Sequence, residues 1–310
     1  MDVSVVVPTR NRSRLLGAAL RSVLQQRDVS FEVVVVDEGS TDDTSAMLAT
    51  IGDGRVRVVR HETPRGVSAA RNHGADESRG EWVAFLDDDD LWAPGKLAIQ
   101  LHAASAAGCD WAYTGAVNID GRSSIVHGRP PLPPDEVMAV IRRYNAIPGG
   151  GSNVLVRRAA LLRAGPFDTR LRNTEDWEMW IRLAKIGPPA WVCSPLLGYR
   201  VHPSNSSLDM DAIVAGARLI EALHDTTIDW GTLHRWLAES CLRTGRRAAA
   251  VAQFARAAVR NDALDVARDL AAIARRRVSG VWPVLGHPRP GHPAWIEEAA
   301  GWLREFEEED

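Results

Sequence analysis

The chain has 310 residues, 45% of them hydrophobic and 25% charged, and its 37 basic and 40 acidic side chains leave a formal net charge of −3. This composition is typical of a globular protein with enough apolar residues for a core, and it excludes wholesale disorder and fibrous repeats. The near balance of charge argues against a nucleic-acid-binding protein.

The first 86 residues alternate short β-branched runs with helical patterns. Strands are predicted at residues 3–7, 31–36, 55–60 and 81–86, and the helices between them at 15–24, from 41 onward and at 67–78. Continuous Val-rich runs such as the first two are typical of strands buried on both faces of a parallel sheet. The alternation therefore predicts an α/β fold with a doubly wound sheet, whose ligands bind beyond the carboxyl ends of its strands.

Polar clusters follow three of these strands, at residues 8–12, 37–40 and 87–90. The last cluster is a run of four aspartates, and four carboxylates at a buried strand end repel one another strongly. A divalent cation relieves that repulsion, and carboxylate oxygens suit Mg²⁺ or Mn²⁺, which share substrate phosphates. Helix capping by Asp90 is the alternative, but it explains only one of the four aspartates. The run therefore predicts a metal–diphosphate site.

The second part of the chain mixes the two patterns. Strands are predicted at 111–119, 154–156 and 191–202, a Pro/Gly-rich loop at 128–134, and helices up to 144 and at 174–186. Thr174 is the predicted cap of the last of these helices. The mixture indicates that a second half, with its own strands and helices, joins the first.

The chain turns helical and alanine-rich beyond residue 209, and residues 235–277 hold ten arginines and four acids. The stretch 237–257 is similar to one tetratricopeptide-type hairpin, and a helical bundle packed on the main domain is the alternative interpretation. Residues 279–293 are predicted to be a Pro/Gly-rich linker. The last fourteen residues are acidic, and Trp295, Ile296, Ala299 and Leu303 are predicted to form one helical face at this end of the chain.

Six segments occur in the order and spacing of family 2 glycosyltransferases, and the chain resembles that family over residues 1–208. The segments are residues 5–12, 36–44, 66–74, 85–90, 165–168 and 175–183. The resemblance implies a GT-A fold, with a Rossmann-like nucleotide half at about 1–110, an acceptor half at about 111–208 and a helical extension at 209–310. It also implies a metal-dependent, hexosyltransferase-type enzyme, which transfers a sugar from a nucleotide-diphospho-sugar to an acceptor hydroxyl with inversion.

The resemblance further implies roles for individual residues. Nucleotide binding is assigned to Pro8, Thr9, Arg10, Asp37, Glu38, Arg71, Asp87 and Asp88. The metal is assigned to Asp89, with Asp87 and His202, and the catalytic pair is Asp176 with Glu175. Asp176 is the expected general base, which takes the acceptor's proton as its oxygen attacks C1 opposite the departing diphosphate. Contacts to donor or acceptor are assigned to Gly151, Ser152, Asn153, Trp177 and Arg200.

Most of these residues also have a purely structural interpretation. Asp37 and Glu38 could cap the next helix, Arg71 could pair on the surface with Asp76 or Glu77, and Glu175 and Asp176 could complement the helix dipole. Residues 149–152 could form a flexible loop. Trp177 and Trp180 could pack in the core, and His202 could have a structural role. Glu38 also stands where many relatives carry aspartate. The longer side chain extends its reach by a methylene and leaves the preferred nucleotide base open.

The expected partners follow from the resemblance and the composition. The donor is of the UDP, dTDP or GDP type, the cofactor Mn²⁺ or Mg²⁺, and the acceptor a saccharide, a lipid-linked molecule or a small molecule. No window approaches the roughly 18 apolar residues of a membrane span, although the arginine-rich segment leaves peripheral contact with an anionic membrane open. Three widely spaced cysteines favour the cytoplasm, with the inner face of the membrane as an alternative. A homodimer stays open as well.

Two other functions compete with this interpretation. A sugar-nucleotidyltransferase shares the nucleotide half, but it is expected to carry a Gly-rich phosphate loop after the first strand, and residues 8–12 hold no glycine. A catalytically silent scaffold would use the helical region to bind partners. The presence of Asp89 and Asp176 argues against that second alternative.

Overall fold

The computed structural model describes residues 1–202, 209–243, 245–279 and 293–306. Its strands are β1 (Val3–Thr9), β2 (Phe31–Asp37), β3 (Val56–Arg60), β4 (Trp82–Phe85), β5 (Leu91–Trp92), β6 (Trp111–Ile119), β7 (Ile125–Arg129), β8 (Leu155–Arg157) and β9 (Ala190–Arg200). Its α-helices are α1 (Ser13–Leu24), α2 (Thr44–Ala49), α3 (Val67–Glu77), α4 (Lys96–Ala107), α5 (Pro134–Val140), α6 (Arg158–Ala164), α7 (Glu175–Ile186), α8 (Met210–His224), α9 (Trp230–Arg243), α10 (Arg247–Ala257), α11 (Ala263–Ser279) and α12 (Pro293–Leu303). Two 3₁₀ turns cover Gly150–Asn153 and Arg304–Phe306, and a π turn covers Ala258–Asp262.

The strands form one mixed sheet in the order β3-β2-β1-β4-β8-β6-β9-β5, with β7 paired to β6. The first four strands in sequence run parallel to one another. Every residue of β1 and β2 is buried, because α1 packs on one face of these strands and α3 on the other. The Val-rich runs thus have the two-sided burial that their sequence predicted.

The second half of the sheet changes direction. β8 runs antiparallel to both β4 and β6, β9 runs parallel to β6, and β5 pairs antiparallel with β9. The strands predicted at 111–119, 154–156 and 191–202 correspond to β6, β8 and β9 within two residues. Leu91 pairs with Gly198, so the aspartate run before β5 lies against the end of β9.

Three local predictions are wrong. α2 begins at Thr44 rather than near residue 41, because Thr41 and Asp42 donate their backbone N–H groups to Asn11 Oδ1 and form a loop. The helix predicted to reach residue 144 ends at Val140. Thr174 precedes α7, but its hydroxyl has no hydrogen-bond partner among the described residues, since Gly216 of α8 packs directly on it.

The helical C-terminal region is joined to the main body through α8. Ile213 and Ile220 of this helix pack in the same core cluster as Met179 and Trp180 of α7. α9 packs along α10 and reaches α11 through the buried ion pair of Arg235 and Asp269, with 2.7 Å between Nε and Oδ2. The arrangement favours a bundle packed on the main domain over an independent repeat. The predicted boundary at residue 208 stays a prediction, since 203–208, 280–292 of the predicted linker and 307–310 of the tail lie outside the described residues.

The last helix, α12, covers the face of the sheet formed by β6, β7 and β9. Trp295 Nε1 donates to the carbonyl of Cys193 at 2.5 Å, and Trp302 Nε1 to that of Pro195 at 3.0 Å. A Cβ at Gly115 or Gly128 would lie 2.6 Å from the Trp295 ring, so these positions require glycine. None of the helices in the described ranges is long and apolar enough to span a bilayer.

Candidate active site

The loops that follow β1 and β2 are tied together at the carboxyl edge of the sheet. Asn11 adopts a φ of 53°, in the left-handed region that few residues other than glycine favour. Its side-chain Oδ1 accepts from Thr41 N at 2.7 Å, and its own N–H donates to Ser40 Oγ at 3.0 Å. These bonds turn the chain so that Arg12, the next residue, points toward the aspartate run after β4.

The first two aspartates of the run have different partners. Asp87 Oδ1 accepts from Arg71 Nη2 at 2.6 Å. Asp88 is buried and accepts from Thr9 Oγ1 at 2.7 Å and from Arg12 Nη1 at 3.0 Å. The two carboxylates therefore face different sides of the site, one toward α3 and the other toward the loop after β1.

The last two aspartates are joined to β9 and its end. Asp89 Oδ2 lies 2.5 Å from Arg12 Nη1 and 2.9 Å from His202 Nε2. Asp90 is fully buried, and it accepts from Ser152 Oγ at 2.5 Å and from Arg200 N at 2.8 Å. Asp90 thus fastens β9 to the Gly150–Asn153 turn, and its predicted alternative as a helix cap is wrong because β5 follows it.

Burial and mutual repulsion divide the charge unequally along the run. Burial and the charge of Asp89 raise the pKa of Asp88 to about 7, against the opposing charge of Arg12. Burial also holds the pKa of Asp90 well above its ordinary value. For Asp89, burial pushes the pKa upward, but the hydrogen bonds of His202 and Arg12 outweigh it and lower the pKa. Asp89 is accordingly the anionic centre of the cluster.

Arg71 joins the aspartate run to the start of α7. It is 2% exposed and donates from Nη1 to Glu175 Oε1 at 2.9 Å, so it is not a surface residue paired with its own helix. Burial disfavours its charge, but Asp87 and Glu175 outweigh that effect and raise its pKa. A Cβ at Gly151 would lie 2.6 Å from Arg71 Nη2, so the turn approaches this guanidinium because residue 151 has no side chain.

Asp176 lies in the first turn of α7 beside the same turn. Its Oδ1 accepts from Trp177 N at 2.6 Å, and its Oδ2 lies 3.5 Å from Asn145 Nδ2. A Cβ at Gly150 would lie 2.7 Å from Oδ2. Burial and the charge of Glu175 raise the pKa of Asp176 to about 7, although Arg71 opposes them. A carboxylate with this pKa can accept a proton near neutral pH.

The predicted nucleoside acids are both buried. Asp37 is 1% exposed, and it accepts from Arg60 Nη1 at 2.6 Å and Ser40 N at 2.8 Å. Neither Asp37 nor Glu38 caps α2, which starts at Thr44. The capping alternative is therefore wrong for both residues.

Glu38 secures the loop that leads into α3. Its Oε2 accepts from the backbone N–H groups of Arg65 and Gly66, both at 2.6 Å, and its Oε1 binds His61 Nδ1. His61 in turn stacks on His73, with ring centroids 4.9 Å apart. Both oxygens are thus engaged within the protein and the residue is 4% exposed, and the contact between Glu38 and the nucleoside stays a prediction.

The four side chains predicted to contact the donor or acceptor are all buried, namely those of Ser152, Asn153, Trp177 and Arg200. Trp177 is 2% exposed, and its Nε1 donates to the carbonyl of Ile141 at 2.6 Å, so its ring packs in the core. Asn153 is fully buried and binds the backbone of Thr114 and Pro148. Both side chains are engaged within the protein, and their contacts with donor or acceptor stay predictions.

The remaining predicted residues differ in exposure, since Arg200 and Pro8 are buried and Arg10 is exposed. Arg200 is buried and donates to the carbonyls of Asp89 and Asp120 and to Ser123 Oγ, at 2.7–3.0 Å. Its guanidinium thus holds the β6–β7 hairpin against the aspartate run, and the donor contact stays a prediction. Pro8 is a buried strand residue, whereas Arg10 is exposed at the mouth of the site.

Arg12 is the functional residue that sequence reasoning missed. It belongs to the polar cluster after β1, but nothing in the sequence says which of the three arginines near that strand end turns inward. Arg10 and Arg14 are exposed, whereas the Arg12 side chain is 27% exposed and bridges two aspartates. The positive φ of Asn11 is the signal, and it is visible only in the structure.

The residues near Asp89 suit a divalent cation. Within the described ranges no three His, Cys, Asp or Glu side chains converge on one point. Asp89 and His202 do lie together, with 2.9 Å between Oδ2 and Nε2. Mg²⁺ and Mn²⁺ are commonly held by one or two protein ligands and completed by substrate phosphates and water, so this pair fits such an ion.

The chain belongs to glycosyltransferase family 2, since the family model described as "Glycosyl transferase family 2" matches residues 4–164. It is 42% identical to the succinoglycan biosynthesis protein ExoO of Rhizobium meliloti (strain 1021), over 69% of this chain and 66% of that relative. It is 30% identical to the putative teichuronic acid biosynthesis glycosyltransferase TuaG of Bacillus subtilis (strain 168), over 74% of this chain and 92% of the relative. The predicted family and enzyme class are confirmed.

The structural comparison confirms the fold class. S. aureus TarS 1–349, solved in complex with UDP, superposes with a TM-score of 0.57 at 22% identity, over 72% of this chain and 65% of that one. Likeness at this identity establishes the GT-A-type fold with a helical C-terminal region. The chain spans about two thirds of the length of ExoO and of TarS 1–349.

Proposed function

We propose that the protein transfers a sugar from a nucleotide-diphospho-sugar to an acceptor hydroxyl with inversion, and that Asp176 is the general base. The observation that carries the proposal is the position of this carboxylate. It lies beside a turn that glycine alone can form, it neighbours the Arg71–Glu175 pair, and its pKa is raised to about 7.

The proton transfer follows from the two oxygens of Asp176. Oδ1 is fixed by the backbone N–H of Trp177, which leaves Oδ2 directed toward Gly150. The acceptor hydroxyl gives its proton to Oδ2 as its oxygen forms the new bond to C1. The electron pair of the broken C1–O bond leaves with the diphosphate on the opposite face.

The donor is proposed to lie along the carboxyl edge of the sheet. Thr9, Arg10 and Asp37 line the end of the site that takes the nucleoside. Asp87 and Asp88 line the part that takes the ribose. Arg71 lies between the aspartate run and α7, where its charge balances that of a diphosphate. Asp89 and His202 would hold Mn²⁺ or Mg²⁺, which when bound neutralises charge on the leaving diphosphate.

The nucleotide and acceptor are proposed from the relatives. TarS was solved with UDP and with UDP-GlcNAc. A glycosyltransferase of Escherichia coli, WfgD, is named for UDP-Glc and for a diphosphoundecaprenol acceptor, and is 28% identical over 59% of this chain. We therefore favour a UDP-sugar over the dTDP and GDP types, and a lipid-linked acceptor over a free saccharide or small molecule.

A lipid-linked acceptor places the enzyme at the cytoplasmic face of a membrane, and the surface of α10 and α11 supports this. Val251, Val259 and Leu264 are 69%, 83% and 78% exposed. Val251 lies on α10, Val259 in the π turn that follows it and Leu264 at the start of α11.

Exposed arginines lie near these apolar residues in the sequence. Arg246, Arg247, Arg256 and Arg260 are all exposed, and across the part of the chain that the structure describes none of them forms an ion pair. Asp265, which is paired with Arg268, is the acid beside them. Exposed apolar side chains among unpaired arginines match the interface of an anionic bilayer.

The Asp176→Asn variant tests the proposed reaction. General-base catalysis contributes roughly 10²–10⁴-fold, so kcat should fall by about that factor while the Kd for UDP stays unchanged. The assay measures UDP release with a UDP-sugar, Mn²⁺ and a polyprenyl-diphosphate-linked sugar. Asp211→Asn, which removes an exposed aspartate of α8, is the matched control. Full activity of Asp176→Asn would refute the assignment of the base.

A further inference from the structure

Arg12 occupies the position of a cation in the aspartate run. A single nitrogen, Nη1, lies 3.0 Å from Asp88 Oδ1 and 2.5 Å from Asp89 Oδ2. The oxygen of Asp89 that it contacts is also the one next to His202. The guanidinium and a metal ion held by Asp89 and His202 would therefore compete for one carboxylate oxygen.

The surrounding loop holds Arg12 in this place. Asn11 is fixed in the left-handed region by its bonds to Ser40 and Thr41, and Arg12 follows as the residue before α1. The side chain is 27% exposed, so it borders the open site and is not locked in the core. An arginine in this position can leave one set of anionic partners for another without unfolding the helix.

The electrostatics make the two cations mutually exclusive. Adjacent carboxylates such as Asp88 and Asp89 repel each other unless a positive charge lies between them. Arg12 supplies that charge. A divalent ion at the same oxygen would stand within a few ångströms of the guanidinium, and two cations at that distance repel strongly in a partly buried site.

We propose that Arg12 is a resident counter-ion that keeps free Mn²⁺ or Mg²⁺ out of the site until the donor arrives. The donor's diphosphate offers the guanidinium a second anionic partner, for which its forked donors are well suited. Release of Arg12 from Asp89 then opens the carboxylate to the ion, so that metal and donor bind together. The proposal rests on the metal site of the proposed function, but it concerns binding and not catalysis.

The experiment measures Mn²⁺ binding by electron paramagnetic resonance, with and without UDP. In Arg12→Gln the affinity for Mn²⁺ without UDP should rise at least tenfold, and the gain in Mn²⁺ affinity that UDP causes should shrink by the same factor. Arg12→Lys keeps a positive charge and should restore most of the exclusion. Arg21→Gln removes an exposed arginine of α1 and should behave as the unchanged protein.

The outcomes separate the two proposals. If Arg12→Gln binds free Mn²⁺ no better than the unchanged protein, while Asp89→Asn abolishes the UDP-dependent binding, the metal site stands and the role of Arg12 is refuted. If Asp89→Asn leaves UDP-dependent binding intact, the ion lies elsewhere, and both the metal assignment and the role of Arg12 fall.

Discussion

The carboxyl edge of the sheet and the exposed face of α10 and α11 use arginine in opposite ways. At the sheet edge Arg71 and Arg12 are each bound to two carboxylates, and these pairs organise a partly buried site. On the helices, Arg256 and Arg260 stand exposed beside Val259. In the first arrangement the arginine charge is paired with carboxylates inside the protein and fixes the geometry of the site. In the second the arginine charge is available to an anion outside the protein.

The largest effect is expected from breaking the buried arrangement. Arg71→Ala would leave Asp87 and Glu175 facing each other without a cation, and removal of one partner of a buried pair costs about 3–5 kcal/mol. Urea denaturation should show this loss, and transferase activity should disappear. Arg170→Ala, which removes a surface partner of Asp168, should change the free energy of unfolding by less than about 1 kcal/mol. Similar losses for the two variants would contradict the distinction between them.

Removal of the exposed arginines of α10 and the π turn should weaken binding to membranes rather than the stability of the fold. Arg256→Gln with Arg260→Gln should weaken binding to phosphatidylglycerol vesicles by about 30-fold, at roughly 1 kcal/mol for each arginine near an anionic surface. Co-sedimentation measures the effect, and activity on a soluble acceptor should not change. Arg163→Gln with Arg170→Gln removes two exposed arginines that are paired with acids and serves as the control. Capture of a protein by this face, with no vesicle binding, would argue against a lipid partner.

The pH dependence of the rate tests Asp176 directly. Because its pKa is raised to about 7, the base is protonated below that pH, and kcat/KM should fall about tenfold for each pH unit below 7. Above pH 7 the carboxylate is ionised and the rate should level off. A profile measured between pH 5 and pH 9 gives the inflection. An inflection near 4 would mean that an ordinary carboxylate limits the reaction.

The smallest effect is expected at the turn beside Arg71. In Gly151→Ala the new Cβ would lie 2.6 Å from Nη2, so the guanidinium must leave its preferred rotamer at a cost of about 1 kcal/mol. The KM for the donor should rise about fivefold. Gly301→Ala, at a helical position with open space around it, should leave KM unchanged. An unchanged KM in Gly151→Ala would show that Arg71 does not contact the donor.

The parts of this molecule that the sequence predicted well are those with periodic patterns or a shared motif. The parallel strands and α7 were predicted within a few residues. Burial on both faces produces continuous apolar runs in the sequence, and an amphipathic helix produces apolar residues at helical spacing. The closeness of Asp89 to His202 came from the family resemblance. Nothing in spacing connects residues 113 positions apart, and the pairing of β5 with β9 is what joins them.

The sequence could not assign a role where two roles share one residue type. Glu38 has the acidity expected of a nucleoside contact, but its longer side chain reaches Arg65 and Gly66 and holds the loop before α3. The spacing of Trp177 suits both a core ring and a ring that stacks on a sugar, and in the structure the ring is buried. Which arginine after β1 turns inward depended on a single backbone angle at Asn11, which no side-chain pattern records.

The packing of α12 on the sheet limits how this protein can be shortened. Trp295 packs on Gly115 and Gly128, and α12 covers the apolar side chains of Val117 and Ile119 on β6. A chain cut before Pro293 would expose this apolar face of the sheet to water, and exposed apolar patches favour association with another chain. Truncated forms are therefore expected to self-associate, and deletions that probe the helical region should remove α9 to α11 from within while keeping residues 293–306.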